Sequence, residues 1–187
     1  MRAGRVPVRV VFLDRDGVIN SDRDDYVKNT SELKIYPFVP TSVKRLNDAG
    51  WPVFVVSNQQ GVAKRIIAED DLMAMEREIA GQVEAAGGRI TQFYYCRHFE
   101  SDACSCRKPQ PGLLLKAAEE HGIGLAESIM VGDTERDVAA GRAAGCRTIL
   151  VLTGKLTRSD AEALQCQPDD IADNLSDAVD IILRRRA

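Results

Sequence analysis

The chain has 187 residues, of which 44% are apolar, and a formal net charge of −3. This length suits one domain with a full core, and the near-balanced charge gives no reason to expect a nucleic-acid partner. No apolar run approaches a membrane span and the amino terminus lacks the core of a signal peptide, so we expect a cytoplasmic protein with no membrane partner.

Apolar runs alternate with helix-type patterns along the chain. The predicted strands are Val8–Leu13, Val53–Val56, Ile90–Tyr95, Ile129–Val131 and Thr148–Leu152. The predicted helices are Pro40–Ala49, Glu69–Ala86, Pro111–Glu120, Glu135–Ala144 and Leu175–Leu183. Short apolar strands separated by helices indicate parallel pairing with both sheet faces covered. The sequence therefore predicts an α/β protein with a Rossmann-like, doubly wound, mainly parallel sheet, forming a single domain over residues 1–187.

Two carboxylates follow the first predicted strand. Asp14 and Asp16 are two residues apart, so they point the same way, and Gly17 allows a sharp turn after them. One carboxylate can attack while the other moves a proton, although acidic residues also simply end strands. A helix-loop-helix calcium site is excluded because Ile19 stands where that loop needs glycine.

Other polar residues are predicted to reach the same edge of the sheet. Ser57 and Asn58 follow the second strand, Asp133 follows the fourth, and Lys108 precedes a helix. Taken one at a time, Ser57 and Asn58 are also common turn-forming residues, and Lys108 is also compatible with a solvated surface side chain. Ligands of open parallel sheets bind beyond the carboxyl ends of the strands, so we expect these residues to meet in one crevice.

The motifs around these positions resemble those of the haloacid dehalogenase superfamily of phosphohydrolases over nearly the whole chain. They are Asp14-Arg15-Asp16-Gly17, Ser57-Asn58-Gln59, Arg107-Lys108-Pro109 and Gly132-Asp133-Thr134-Glu135-Arg136-Asp137. The resemblance implies that Asp14 is the nucleophile and Asp16 the general acid and base. It further implies that Ser57 and Lys108 hold the transferring phosphoryl group and that Asp133 binds magnesium.

This assignment agrees with the chemistry of phosphate esters. A phosphate monoester and a carboxylate repel each other, so a cation is needed between them. We expect Mg2+ to bind Asp14, Asp133 and the main-chain carbonyl of Asp16. Asp137 has two interpretations, since Thr-x-x-Asp fits a capping box and the side chain could equally orient the magnesium shell.

A second metal site is predicted from cysteine and histidine spacing. Cys96-x-His98 is followed after five residues by Cys104-x-Cys106, which supplies the four ligands of a tetrahedral zinc ion. Four protein ligands leave no open position, so this zinc is expected to be structural. The zinc loop, at about 96–108, would aim Lys108; the alternative is a set of four unligated side chains in a reduced loop.

The zinc loop and the phosphatase motifs together resemble two families, the heptose-1,7-bisphosphate 7-phosphatases and the histidinol-phosphate phosphatases. Asn20-Ser21-Asp22 with Tyr26-Val27, the run 57–62 and the run 151–155 favour the first family. Thr134 departs from it, because these enzymes usually carry lysine after the magnesium aspartate. The longest interval between motifs, about forty residues from Gly17 to Ser57, leaves no room for a large cap domain.

The expected substrate is a small phosphorylated sugar, preferably a bisphosphate, bound by a monomer. The residues expected to contact it are Asn20, Asp22, Ser57, Asn58, Gln59, Arg107 and Lys108. Arg107 would contact a second phosphate or sugar hydroxyls, unless it only neutralises the zinc thiolates. A different class remains open, a non-enzymatic zinc-stabilised binding protein, although binding alone does not require both Asp14 and Asp16.

Overall fold

The computed structural model describes residues 7–184, so both ends of the predicted domain 1–187 lie outside the described residues. The strands are β1 (Val11–Leu13), β2 (Val53–Asn58), β3 (Ile90–Cys96), β4 (Ile129–Gly132), β5 (Arg147–Val151) and β6 (Asp170–Ala172). The helices are α1 (Val39–Asp48), α2 (Gln60–Ala63), α3 (Glu69–Ala85), α4 (Gly112–His121), α5 (Glu135–Ala143), α6 (Arg158–Glu162) and α7 (Leu175–Arg184). Within this part of the chain, no helix is both long and apolar enough to cross a membrane.

The strands form one parallel sheet in the order β3-β2-β1-β4-β5-β6. The chain winds outward from β1 in one direction as far as β3, and then from β4 in the other. The order therefore reverses between β1 and β4, which is where a doubly wound sheet opens a crevice beyond the strand ends. The predicted α/β fold is confirmed.

Alternate residues of β1 enter two separate cores. Val11 and Leu13 face the layer formed by α1, α3 and α7, whereas Phe12 faces the layer that contains α4 and α5. All three side chains are fully buried. Burial on both faces explains why the central strands are continuous apolar runs rather than alternating ones.

The predicted elements are found with shifted ends. The first strand is shorter than predicted, because Val8 is 40% exposed and forms only an isolated bridge with Ile123. The sequence did not predict the short elements α2, α6 and β6, nor the single 3-10 turns at Glu100–Asp102 and Leu125–Glu127. Between β1 and β2, α1 is the sole helix or strand of the described chain, in agreement with the absence of a large cap domain.

Candidate active site and metal centres

The segments that follow β1, β2, β3, β4 and β5 surround a cavity of about 440 Å3 at the crevice of the sheet. Its lining is polar and rich in charged groups. The lining residues are Asp14, Asp16, Asp22, Arg23, Tyr26, Ser57, Asn58, Gln60, Glu100, Arg107, Lys108, Asp133, Thr134, Arg136, Asp137 and Lys155. The strand ends thus bring together residues more than a hundred positions apart, as the sequence predicted.

Asp14 lies directly after β1 with a largely buried side chain. Its Oδ1 accepts a hydrogen bond from the Arg15 N–H at 2.7 Å and lies 2.8 Å from Lys108 Nζ. Burial raises the pKa of Asp14 to about 7, with repulsion from Asp137 adding to the rise and the Lys108 ammonium opposing it. In the absence of a further cation, this carboxyl is therefore only partly ionised at neutral pH.

Asp133 follows β4 and is 4% exposed. Burial raises its pKa to about 9, helped by repulsion from Asp137 and Asp14. Oxygens of these three carboxylates lie within 4.8 Å of one another. Such a crowd of buried oxygens fits a divalent cation of the Mg2+ type, which would favour the ionised forms.

Two glycines allow the backbone to approach Asp133 closely. Gly17 has a φ of +82°, and a Cβ built on it would lie 2.2 Å from Asp133 Oδ2. A Cβ on Gly154 would lie 2.0 Å from the same oxygen. The loops after β1 and β5 therefore enclose this carboxylate from two sides.

Asp16 points toward a buried polar network. Arg15, whose side chain is 1% exposed, donates to both of its carboxylate oxygens at 2.8 and 2.9 Å. Asn20 Nδ2 and Gln59 Nε2 each donate to it as well, both at 2.9 Å. Burial alone would raise the pKa of Asp16, but the guanidinium and the two amides hold it below its usual value. The lowered pKa favours the ionised form of Asp16, which is the form that the base step expected from the sequence requires.

Lys108 is 2% exposed and all its hydrogen bonds are satisfied within the described chain. Its Nζ donates to the Val56 carbonyl at 2.8 Å and pairs with Asp14 at 2.8 Å and Asp137 at 2.6 Å. Burial would lower its pKa, but the two carboxylates hold the pKa of Lys108 above its usual value. The lysine is a fixed positive charge beside Asp14.

Asn58 positions this lysine through its main chain. Its side-chain amide donates to the Lys108 carbonyl and accepts from the Lys108 N–H, both at 3.0 Å. Both ends of the Asn58 amide are engaged in this way, although the residue lines the cavity. This geometry favours a positioning role over the direct substrate contact expected from the sequence.

Asp137 forms the capping box that the sequence left open as one of its two roles, and it also lies among the carboxylates of the site. Its Oδ2 accepts from the N–H and hydroxyl of Thr134, at 3.1 and 2.6 Å, which caps α5. Its other carboxylate oxygen pairs with Lys108, and the residue belongs to the three-carboxylate cluster. The same side chain thus begins a helix and contributes charge to the site.

The remaining residues expected to bind substrate separate into two groups. Ser57, Asp22 and Arg107 line the cavity. Asn20 and Gln59 are buried below it and do not line it, since their amides are bonded to Asp16 and, for Gln59, to Ser57 Oγ at 3.0 Å. The expected direct contact of Asn20 and Gln59 with substrate is therefore replaced by a supporting role, in which both amides orient Asp16.

Sequence reasoning assigned no site role to several lining residues. These are Arg23, Tyr26, Gln60, Glu100, Arg136 and Lys155. Tyr26, Gln60, Arg136 and Lys155 all stand within the quoted motifs, and the charge of the last two was an available signal. Arg23 and Glu100 stand outside those motifs, and their approach to the cavity depends on long-range packing.

The predicted zinc ligands form a compact cluster. Sulfur atoms of Cys96, Cys104 and Cys106 lie 3.3 to 3.6 Å apart. His98 Nδ1 lies 3.2 Å from Cys106 Sγ and 3.6 Å from Cys96 Sγ. Ligands at about 2.3 Å around a tetrahedral zinc are separated by roughly 3.7 Å, so the donor set fits that metal.

Comparisons with known proteins agree with this geometry. The HAD-hydrolase-like family model matches residues 105–178. The D-glycero-beta-D-manno-heptose-1,7-bisphosphate 7-phosphatase of Pseudomonas aeruginosa is 41% identical over 150 residues, which cover 80% of this chain and 84% of that one. The D-glycero-D-manno-heptose-1,7-bisphosphate 7-phosphatase of Thermosynechococcus vestitus is 36% identical, covering 95% of this chain and 96% of that protein.

A solved structure is similar over almost the whole chain. It is the D,D-heptose 1,7-bisphosphate phosphatase from B. bronchiseptica, complexed with magnesium and phosphate. The TM-score is 0.87 at 30% sequence identity, with 95% of this chain and 99% of that chain covered.

Proposed function

Since the chain belongs to the heptose-1,7-bisphosphate 7-phosphatase family of haloacid dehalogenase-like hydrolases, we propose that it removes the 7-phosphate of D-glycero-D-manno-heptose 1,7-bisphosphate. The observation that carries the proposal is the cluster of Asp14, Lys108 and Asp133 at the sheet crevice. It combines a carboxylate nucleophile with a fixed ammonium and ligands for a divalent cation. A phosphate-binding protein without activity has no use for the first of these.

In the proposed reaction, Asp14 attacks the phosphorus atom of the 7-phosphate. The bond to the sugar oxygen breaks and an aspartyl phosphate forms on Asp14. Ser57 binds the phosphoryl oxygens, and the fixed positive charge of Lys108 beside Asp14 stabilises the negative charge that grows on them. Asp14, Asp133 and the main-chain carbonyl of Asp16 would hold Mg2+, which would reduce the repulsion between the carboxylate nucleophile and the phosphate.

Asp16 completes the cycle as general acid and base. It gives a proton to the leaving sugar oxygen, which departs as a hydroxyl, and then takes one from the water that hydrolyses the aspartyl phosphate. The ion pair with Arg15 supports the second of these steps, because it favours the ionised form. The first step requires Asp16 to take up a proton when substrate displaces water from the cavity.

The substrate proposal also rests on the cavity wall. Arg107 lines it, and the buried Nη1 of this residue has no hydrogen-bond partner within the described chain. We propose that Arg107 contacts the phosphate that is not cleaved, while Asp22 contacts sugar hydroxyls. We further propose that residues 1–187 form a single domain that acts as a cytoplasmic monomer; light scattering tests the monomer.

A substrate comparison tests the function. Released phosphate is measured with Mg2+ on heptose 1,7-bisphosphate and histidinol phosphate, for the wild-type protein and Asp14→Asn. We expect a clear preference for the heptose ester and no turnover by the variant, whose zinc content and folding stay normal. Preference for histidinol phosphate would overturn the substrate, and absence of turnover on any phosphate ester would overturn the activity.

A structural zinc ion is the second part of the proposal. The Cys96, His98, Cys104 and Cys106 cluster directly precedes Arg107 and Lys108, so we propose that zinc fixes the loop that carries both. Protein purified without added zinc should contain about one zinc per chain by elemental analysis. Cys104→Ser should lose zinc, and its loop should become more sensitive to proteolysis. Cys166→Ser, which lies outside the cluster, should keep the zinc content and the protease resistance of wild type. Zinc-free wild-type protein with an intact loop would contradict this site.

A further inference from the structure

The positively charged residues that line the active-site cavity differ in whether their charge is already paired. Arg23 pairs with Asp25, Lys108 with two carboxylates, and Lys155 with Asp24 at 2.5 Å. Arg107 and Arg136 make no ion pair with any residue between positions 7 and 184. They are therefore the two lining cations of the described chain that are free to meet an anion.

The two arginines also share a second cavity. It has a volume of about 400 Å3 and adjoins the first, with which it has Glu100, Arg107, Lys108 and Arg136 in common. Its remaining wall comes from Ala103 and Cys104 of the zinc loop and from Pro109 and Gln110, which follow it. An anion placed between Arg107 and Arg136 would lie beside the reacting centre and apart from the three carboxylates.

The position of Arg136 is not explained by the stability of its helix. It lies in the first turn of α5, where the positive end of the helix dipole disfavours a cation. Its neighbour Glu135 is not available as a partner, because Oε1 of that residue accepts the Cys166 N–H at 2.7 Å. A guanidinium placed at an unfavourable helix end, exposed and facing a cavity, is suited to ligand recognition.

We propose that Arg136 determines specificity for a bisphosphate by binding, together with Arg107, the phosphate that is not cleaved. The inference rests on the proposed function and adds a residue on α5 to the single contact expected from the zinc loop. Guanidinium groups bind phosphate through paired N–H donors, so two arginines from different elements fix both the position and the orientation of that group. Lys108 and the metal ligands then act on the other phosphate.

Steady-state kinetics on a matched pair of substrates tests the role of Arg136. The kcat/KM is measured for heptose 1,7-bisphosphate and for heptose 7-phosphate, with the wild-type protein, Arg136→Gln, Arg136→Lys and Lys116→Gln. The last variant removes an exposed positive charge from α4, outside both cavities. We expect Arg136→Gln to lower the ratio of bisphosphate to monophosphate kcat/KM about 10- to 100-fold, mainly through KM.

Arg136→Lys keeps the positive charge without the paired N–H donors of the guanidinium. Its ratio of bisphosphate to monophosphate kcat/KM should therefore lie between those of wild type and Arg136→Gln. The ratio of Lys116→Gln should match that of wild type. An unchanged ratio in Arg136→Gln, with wild type preferring the bisphosphate, would overturn the inference and leave the proposed function intact. If wild type instead hydrolyses neither heptose ester, the proposed function fails. The ratio for fructose 1,6-bisphosphate over fructose 6-phosphate then decides the role of Arg136 by the same criterion.

Discussion

Asp16 is an acid whose environment keeps it charged. Arg15 is nearly inaccessible to solvent and donates through Nε and Nη2, while its buried Nη1 has no partner within the described chain. A buried guanidinium needs a counter-charge, and Asp16 supplies it. The pair therefore fixes the orientation of the carboxylate and, by holding its pKa low, its ionisation.

Replacing Arg15 should change the pH dependence of turnover. In Arg15→Gln the carboxyl of Asp16 stays buried but loses its ion pair, so its pKa should rise. Because the proposed hydrolytic step needs the ionised form of Asp16, we expect the acidic limb of the kcat–pH profile to move up by about one pH unit or more. Kinetics from pH 4.5 to 8.5 with saturating Mg2+ measure this shift.

Arg15→Lys provides the matched control, because it keeps a positive charge near Asp16. Its acidic limb should lie closer to that of wild type. If both variants lose activity equally at every pH, with no movement of the limb, Arg15 would have only a packing role. Thermal unfolding of each variant separates that loss from simple failure to fold.

At the scale of elements, the loop after β5 packs against the loop after β1 and against Asp133. Thr153 Oγ1 donates to the Gly17 carbonyl at 2.5 Å, and its own carbonyl accepts from the Tyr36 hydroxyl at 2.9 Å. These bonds place Gly154 against Asp133. The run 151–155 in this loop was one of the motifs that resemble the heptose phosphatases. The close approach to Asp133 gives the physical reason why residue 154 is a glycine.

A methyl group at Gly154 should therefore disturb Asp133, the proposed magnesium ligand. Its Cβ would lie 2.0 Å from Asp133 Oδ2 and 2.8 Å from Asp133 Cβ, so the clash reaches the root of a buried side chain. We expect Gly154→Ala to weaken Mg2+ binding at least tenfold, measured from the Mg2+ dependence of kcat/KM.

Gly81 in α3 is the matched control, since a Cβ there meets no atom within 4 Å. Gly81→Ala should keep full activity and stabilise the fold by about 0.5–1 kcal/mol through better helix propensity. Equal Mg2+ dependence in Gly154→Ala and wild type would show that Asp133 can move without consequence.

Elements with strong local patterns were predictable from the sequence, whereas those fixed by tertiary contacts were not. The buried strands and amphipathic helices were predicted with ends shifted by only a few residues, because burial on both sheet faces imposes apolar runs. The strand β6 has three residues and begins with Asp170, so it has no apolar run to detect. It forms because β5 offers an open edge, with Ile149 to Val151 pairing Asp170 to Ala172.

The candidate site follows the same division. The sequence predicted which residues meet at the crevice, because their types and positions after strands are local information. The amide of Asn58 bonds a backbone fifty residues away, and that of Gln59 bonds a carboxylate 43 residues away. Such pairings depend on how the loops pack, and no spacing in the sequence encodes them.

At the scale of the whole molecule, the three crowded carboxyl groups of the site make the stability of the metal-free protein depend on pH. Asp14 and Asp133 have pKa values near 7 and 9, against an ordinary value of 3.8, mainly because of burial. Above pH 4 the folded state therefore binds protons that the unfolded chain has released. Stability then falls as pH rises toward these values, by about 1 kcal/mol per pH unit for each such group.

Protein freed of Mg2+ by desalting should consequently unfold more easily at pH 8.5 than at pH 5.5. Carboxyls whose pKa is held low, such as Asp16 and Asp169, titrate below this window and do not oppose the trend. Urea unfolding at fixed ionic strength measures it. Mg2+ binds the ionised carboxylates, so its stabilising effect should be larger at pH 8.5 than at pH 5.5.

Asp14→Asn gives the decisive comparison, because it removes one titrating carboxyl and its repulsion of Asp133. The pH dependence of the metal-free variant should be clearly shallower than that of wild type, and its response to Mg2+ smaller. A wild-type stability that is level or rises between pH 5.5 and 8.5 would mean that the carboxylates are solvated rather than crowded. The charge cluster would then be no reason for this fold to require a divalent cation, and the metal-dependent role assigned to Asp133 would lose its physical basis.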